Sequence, residues 1–117
     1  MTPVDPTELV AGSWQLRPWP AAYADLDEVL AEQGFRGAAL DTARRERLDG
    51  WHDGDVLGFA VREITTGRAA GEVVLRIAPG EARVTAVSRP GGPDVHAAGE
   101  VVRRWASGAL GLSVVAT

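Results

Sequence analysis

Two histidines, sixteen carboxylates and no cysteine set the chemistry open to this 117-residue chain. One stretch stands out, "AVSRPGGPDVHAAGEVVRRWASGALG" from Ala86 to Gly111, which reads as a strand, a glycine-rich loop and a helix. Many folds hold a phosphate in that order, because a helix N-terminus offers unpaired N–H donors and about half a positive charge to an anion. His96 stands at the start of the helix as a candidate acid or base. His52 is the other histidine, in "GWHDGDV" with Asp53 and Asp55. Three such residues could ligate a metal or, through His52, supply a general base. Metal ligands normally converge from separate elements with further groups behind them, so no metal is expected here. The preferred reading is a polar turn over Trp51, with His52 on the surface. Glu63 and Glu72 stand on two neighbouring strands of the hairpin. Arg62 and Arg76 are close in sequence, and cross-strand ion pairs are the expected state of both carboxylates. Ser88, Ser107 and Ser113 lack a nucleophile-elbow context, which argues against serine-hydrolase chemistry.

Composition limits what can surround these groups. A chain of this length forms one domain that buries about two-thirds of its unfolded surface. The absence of cysteine removes thiol nucleophiles, disulfides and thiolate metal sites. No window approaches the roughly 20 apolar residues of a membrane span, and the first residues lack a basic leader, so a cytoplasmic protein is expected, with no membrane association. The net charge is -4 and all 12 basic residues are arginines. They are scattered apart from Arg44, Arg45 and Arg47 and the pair Arg103 and Arg104, so no nucleic-acid partner is expected.

The positioning elements follow from periodicity. Residues 13–19 alternate as a half-buried strand stopped by Pro18 and Pro20. Tyr23, Leu26, Val29 and Leu30 form a helical stripe over 21–33, closed by Gly34, and a second helix runs from an Asp41 cap through "TARRERL". "DGWHDGD" is expected as a loop. Strands at 56–64 and 70–77 make a hairpin around Gly67, and 82–88 adds a third strand. A helix over 95–107 then leads to a last strand, Leu112 to Ala116. A strand returning parallel to its predecessor needs such a crossover helix. The expected fold class is therefore α+β, an antiparallel meander ending in one parallel β-α-β step. Residues 1–12 are expected as a loose N-terminal arm and 13–117 as the domain.

This order, carried by "LRPW" (Leu16 to Trp19), "LGFAVREITTGRAAGEVVL" (Leu57 to Leu75) and "VVRRWASGALGL" (Val101 to Leu112), resembles the GCN5-related N-acetyltransferase (GNAT) superfamily, nearest its ribosomal-protein N-terminus and aminoglycoside branch. The resemblance implies a GNAT-like partial fold. Family members continue past the corresponding last strand with a helix and a β-hairpin, which commonly bring the tyrosine that protonates the departing thiolate. It also implies a coenzyme A loop of the form Gln/Arg-x-x-Gly-x-Gly/Ala before the third helix. Superposing that helix on Ala98, Val101 and Trp105 puts Pro93, Asp94, Val95 and His96 at the motif. Pro93 has no N–H, Val95 and His96 obstruct close approach, and Asp94 is a negative group suited to capping the helix itself. Gly91 and Gly92 read as a turn. The loop is thus degenerate and no cofactor is expected.

In the family the loop between the first two helices borders the acceptor amine, so Asp25, Asp27, Glu28 and Glu32 could steer a cationic substrate or form a solvated face. The resemblance also places Glu63 and Glu72 near the region from which some members draw a base. Three functions follow. The first is an assembly or regulatory module, homodimeric or bound to another protein through the strand Leu112 to Ala116. The second is an acetyl-CoA-dependent N-acetyltransferase completed by dimerisation. The third is a reassigned cleft that binds or converts a small metabolite.

Overall fold

The strands at the centre of the sequence set the architecture. A computed structural model describes residues 4–116. β3 (Val56–Glu63) and β4 (Ala69–Ala78) pair antiparallel with Leu57 opposite Leu75 and Phe59 opposite Val73. Gly67, at φ 69°, closes their turn by donating its N–H to the Glu63 carbonyl at 2.7 Å. β5 (Glu81–Ser88) adds to β4 in antiparallel register. β2 (Trp14–Pro18) lies on the other side of β3, with Leu16 opposite Val61. The hairpin and the meander therefore form as the alternation and turn residues predict.

Both faces of this sheet are covered, which is why β3 and β4 read as nearly continuous apolar runs. On one face Leu16, Leu57, Phe59, Val73, Leu75 and Val84 pack against α3 (His96–Ala109), which contributes Ala98, Val102 and Ala106. Phe59 meets Trp51 and Trp105 edge-on, with centroids 5.1 and 5.7 Å away. On the other face Ala60 lies beneath Trp19, Leu26, Val29, Leu30 and Ala43. These come from a 3-10 turn after β2, from α1 (Leu26–Glu32) and from α2 (Gly37–Asp53). α3 then carries the chain over the sheet to β6 (Val114–Ala116), parallel to β5 with Ala82 opposite Val114. With β1 (Leu9–Ala11) at the outer edge, the sheet order is β1-β2-β3-β4-β5-β6, and the fold is α+β with one parallel step at its end.

Four local expectations need correction. Asp41 does not cap α2, which begins four residues earlier at Gly37. "DGWHD" is not a loop but the last turns of α2, ended by Gly54 in the left-handed region at φ 76°. The polar and glycine-rich composition misleads because Gly50 is there for proximity: a Cβ on it would lie 2.1 Å from the Val56 carbonyl oxygen. The first helix starts at Leu26 rather than 21, since Trp19–Ala21 and Tyr23–Asp25 are tight 3-10 turns that follow Pro18. Finally, the expected loose arm contains β1 (Leu9–Ala11), paired antiparallel with β2, and Val4 donates its N–H to the Trp51 carbonyl at 3.2 Å. A three-residue strand is too short to show a period of two.

Candidate functional site

The loop between β5 and α3 is built from Arg89 to Val95, turned by Gly91 at φ 73°. At its end the backbone donors meet side chains of the chain itself. The Val95 N–H donates to Ser88 Oγ at 3.1 Å and the His96 N–H to Asp94 Oδ1 at 2.9 Å. The N-cap of α3 is Val95 and not Asp94 as expected; Asp94, one residue earlier, accepts from the first helical N–H, and Ser88 reaches back from the last residue of β5 to a second donor. Val95 and Ala98 are fully buried under the sheet, whereas Asp94 and His96 are exposed. Pro93 is an exposed residue that offers no donor. Arg89 folds over the turn, its Nε 3.0 Å from where a Cβ on Gly92 would stand. Among the described residues its buried Nη1 has no hydrogen-bond partner.

The second candidate is Glu72, fully buried in β4 on the face covered by α1 and α2. Arg47 of α2 grips it with two bonds, Nη2 to Oε1 at 2.7 Å and Nε to Oε2 at 3.2 Å. Trp19 Nε1 donates to Oε2 at 2.7 Å and Gln33 Nε2 to Oε1 at 2.7 Å. Four donors from three elements fill the carboxylate and tie α1, α2 and the 3-10 turn to the sheet. This overturns the expected cross-strand pairs. Arg62 turns instead to Asp25 at 3.4 Å, and Arg76 to Glu46 at 2.9 Å. A carboxylate held by four donors is a structural anchor.

Beside this anchor, Phe35, Ala39, Thr42, Glu46 and Arg76 border an open cleft of about 430 Å³ over Arg47. The Arg47 guanidinium also stacks 5.6 Å from the centre of the Phe35 ring. Glu63 sits at the hairpin end of β3, where its backbone closes the turn. His52 is exposed in the last turn of α2 and borders a separate cavity with Val4, Pro20 and Trp51. Trp51 lies inward from it, as expected, with its Nε1 bonded to the Gly58 carbonyl at 3.0 Å. His52, Asp53 and Asp55 do not converge: among the described residues no group of three or more His, Asp or Glu side chains is arranged to hold a metal. No hydrogen bond joins any two of His52, Glu63, Glu72 and His96. The acidic face of α1 is partly engaged within the chain. Arg44 binds Asp27 through bonds of 2.8 and 3.1 Å and holds its carboxyl below the usual carboxylate range.

Local sequence pattern assigns no role at these sites to Arg47, Trp19, Gln33, Ser88 or Arg89. A signal existed for the first: Ala43, Arg47, Gly50 and Trp51 are the buried positions of α2, so an arginine occupies an apolar helical stripe. Glu72 likewise interrupts the apolar run of β4. Two charges of opposite sign, each out of place in its own pattern, imply each other.

No helix among the described residues is long and apolar enough to cross a membrane. No protein-family model and no curated protein matches the chain. Solved structures do. An acetyltransferase from Agrobacterium tumefaciens str. C58 superposes with a TM-score of 0.72 at 19% identity, over 91% of this chain and 70% of that one. FdhC, a nucleotide-linked sugar GNAT in its apo form, superposes with a TM-score of 0.57 at 11% identity, over 92% of this chain and 68% of its own. The likeness lies in the backbone: this chain has the GNAT-like α+β fold that these acetyltransferases share.

Proposed function

We propose that this GNAT-like chain works as a binding and assembly module and not as a standard acetyltransferase. One observation carries the reading: at the helix start where the GNAT motif would receive a pyrophosphate, Ser88 and Asp94 already accept the Val95 and His96 N–H bonds. An incoming phosphate has to displace both and face the Asp94 carboxylate. Glu72 supports the same reading, since its lone pairs are taken by Arg47, Trp19 and Gln33. The surface such a module offers is β6, which among the described residues pairs only with β5, and whose Val115 is 48% exposed. Its open backbone edge suits a second strand, from another copy or from a different protein. Sedimentation equilibrium at micromolar concentration is expected to show a dimer that a charged substitution, Val115→Asp, returns to monomer. A monomer in both removes the homodimer.

A second reading is favoured by Arg89. Its buried Nη1, without a partner among the described residues and next to Gly91 and Gly92, leaves a cation at the loop that could hold the anion by itself. The chain would then be an acetyl-CoA-dependent N-acetyltransferase, of the ribosomal-protein branch or another. Calorimetric titration of acetyl-CoA at low salt separates the two. The unmodified protein is expected to give no saturable heat at about 100 μM ligand, and the Asp94→Gly, His96→Gly double variant to gain binding. Micromolar binding by the unmodified protein that Arg89→Ala abolishes would establish the second reading and sink the first.

A further inference from the structure

At the far end of α3 from the loop, 14 residues and therefore about 21 Å away, a different cavity opens. It has a volume of about 530 Å³, within the range of small-molecule sites. Its walls are apolar: Val4, Ile77, Leu110 and Leu112 line it. The strand end that bears Ile77 is fixed by the Ile77 N–H on the Asp55 carbonyl at 2.8 Å. Leu110 and Leu112 are fixed by their N–H bonds to the Ala106 carbonyl at 3.1 and 3.2 Å. The wall is thus held in place by backbone bonds.

The charge on its lining has one sign. Gly54, which lines the cavity, is the C-cap of α2, and Leu110 is the C-cap of α3. Two helices therefore present their C-terminal ends to one space, each equivalent to about half a negative charge. α3 has no basic residue in its last turn to offset this. Asp5 adds a full carboxylate at the rim, without an ion-pair partner among the described residues. No described residue lining the cavity is basic. His52, the basic residue in the last turn of α2, faces the adjoining cavity, which shares only Val4 and Asp5 with this one.

We propose that this cavity binds a small organic cation with an apolar body, such as an alkylammonium or arylalkylammonium ion. The ammonium sits between Asp5 and the two helix ends, and the hydrocarbon lies against Ile77, Leu110 and Leu112. An anion of the same length meets three negative groups, and a neutral analogue gains only the apolar contact.

The test is a titration of isotope-labelled protein with octylammonium, octanoate, octan-1-ol and tetramethylammonium, followed by amide chemical shifts at neutral pH. Octylammonium is expected to shift the Gly54, Leu110 and Leu112 amides saturably, at least about tenfold more tightly than octanoate, a difference of about 1.4 kcal/mol. Tetramethylammonium, which has charge without a chain, should bind more weakly, and Asp5→Asn should reduce the preference for octylammonium over octan-1-ol about threefold. The proposal fails if octanoate or octan-1-ol binds as well as octylammonium, if tetramethylammonium matches it, if the shifts centre on the acidic face of α1, or if nothing saturates by about 1 mM.

Discussion

Arg47→Ala is expected to destabilise this protein by about 3–5 kcal/mol, the cost of leaving one member of a buried ion pair alone. Arg47 is 4% exposed and Glu72 fully buried, so solvent does not screen the loss. Removing the guanidinium takes away two of the four donors on Glu72 and opens the contact with Phe35. Trp19 and Gln33 remain, each with one bond. For a domain of this size the melting temperature should fall by about 12–20 °C, measured by calorimetry or by urea unfolding. The distinguishing variant is the double one, Arg47→Met with Glu72→Gln. It keeps an acceptor for Trp19, fills the arginine's path with an apolar chain and buries no charge. It is expected to recover more than half of the loss, because a buried pair replaced as a unit costs little. If the double variant is as unstable as Arg47→Ala, the deficit comes from the packing of α2 and the charge argument is wrong. If Arg47→Ala melts within 2–3 °C of the unmodified protein, as a surface substitution does, the buried pair is not the anchor described.

This anchor shows where a sequence stops being legible. The hairpin around Gly67 and the strand β5 come from local rules, alternation and turn chemistry, and their register follows. The parallel return of β6 comes from connection rules that need no side-chain detail. The partner of Glu72 does not. Arg76 and Arg62 are near it in sequence, and pairing by proximity is the local guess. The true partner is 25 residues away on α2. Only the helical phase of Arg47 pointed inward, and that phase depends on α2 continuing through "DGWHD". Local composition argued for a turn there, so one misread boundary hid both the helix end and the ion pair.

The loop before α3 mixes local and long-range determinants. Asp94 as an acceptor for the helix start is a local inference, and its carboxylate takes the His96 N–H from one residue before the N-cap, Val95. In sequence, Ser88 is only a serine without a histidine. Its role comes from the three-dimensional return of the loop to the end of β5, which places Oγ 3.1 Å from the Val95 nitrogen. The same holds for the apolar cavity at the other end of α3. Its walls come from residues 4 to 112, and no window of the sequence contains them together.

Gly50→Ala is expected to destabilise by about 3 kcal/mol or more, at the upper end of what overpacking costs. A Cβ there would stand 2.1 Å from the Val56 carbonyl oxygen, 2.7 Å from its Cβ and 2.9 Å from its carbonyl carbon. None of these atoms can swing aside, since two are backbone and the third is fixed to it. The Gly50 carbonyl also accepts the Gly54 and Asp55 N–H bonds at 2.8 and 3.3 Å, so the glycine is bonded to the turn that it touches. Relief requires the last turn of α2 to lift from β3. That motion would carry Trp51 off the Gly58 carbonyl and Gly54 out of the wall of the apolar cavity. Gly108→Ala in α3 is the matched control. A Cβ there meets nothing within 4 Å, and the change should stabilise by about 0.5–1 kcal/mol through helix propensity. Thermal melts of the two variants should therefore move in opposite directions, with the indole fluorescence of Gly50→Ala shifted to the red as Trp51 meets water. A Gly50→Ala melt equal to that of the unmodified protein would mean that α2 and β3 are farther apart than this packing requires, and that "DGWHD" is free to be the turn its composition suggests.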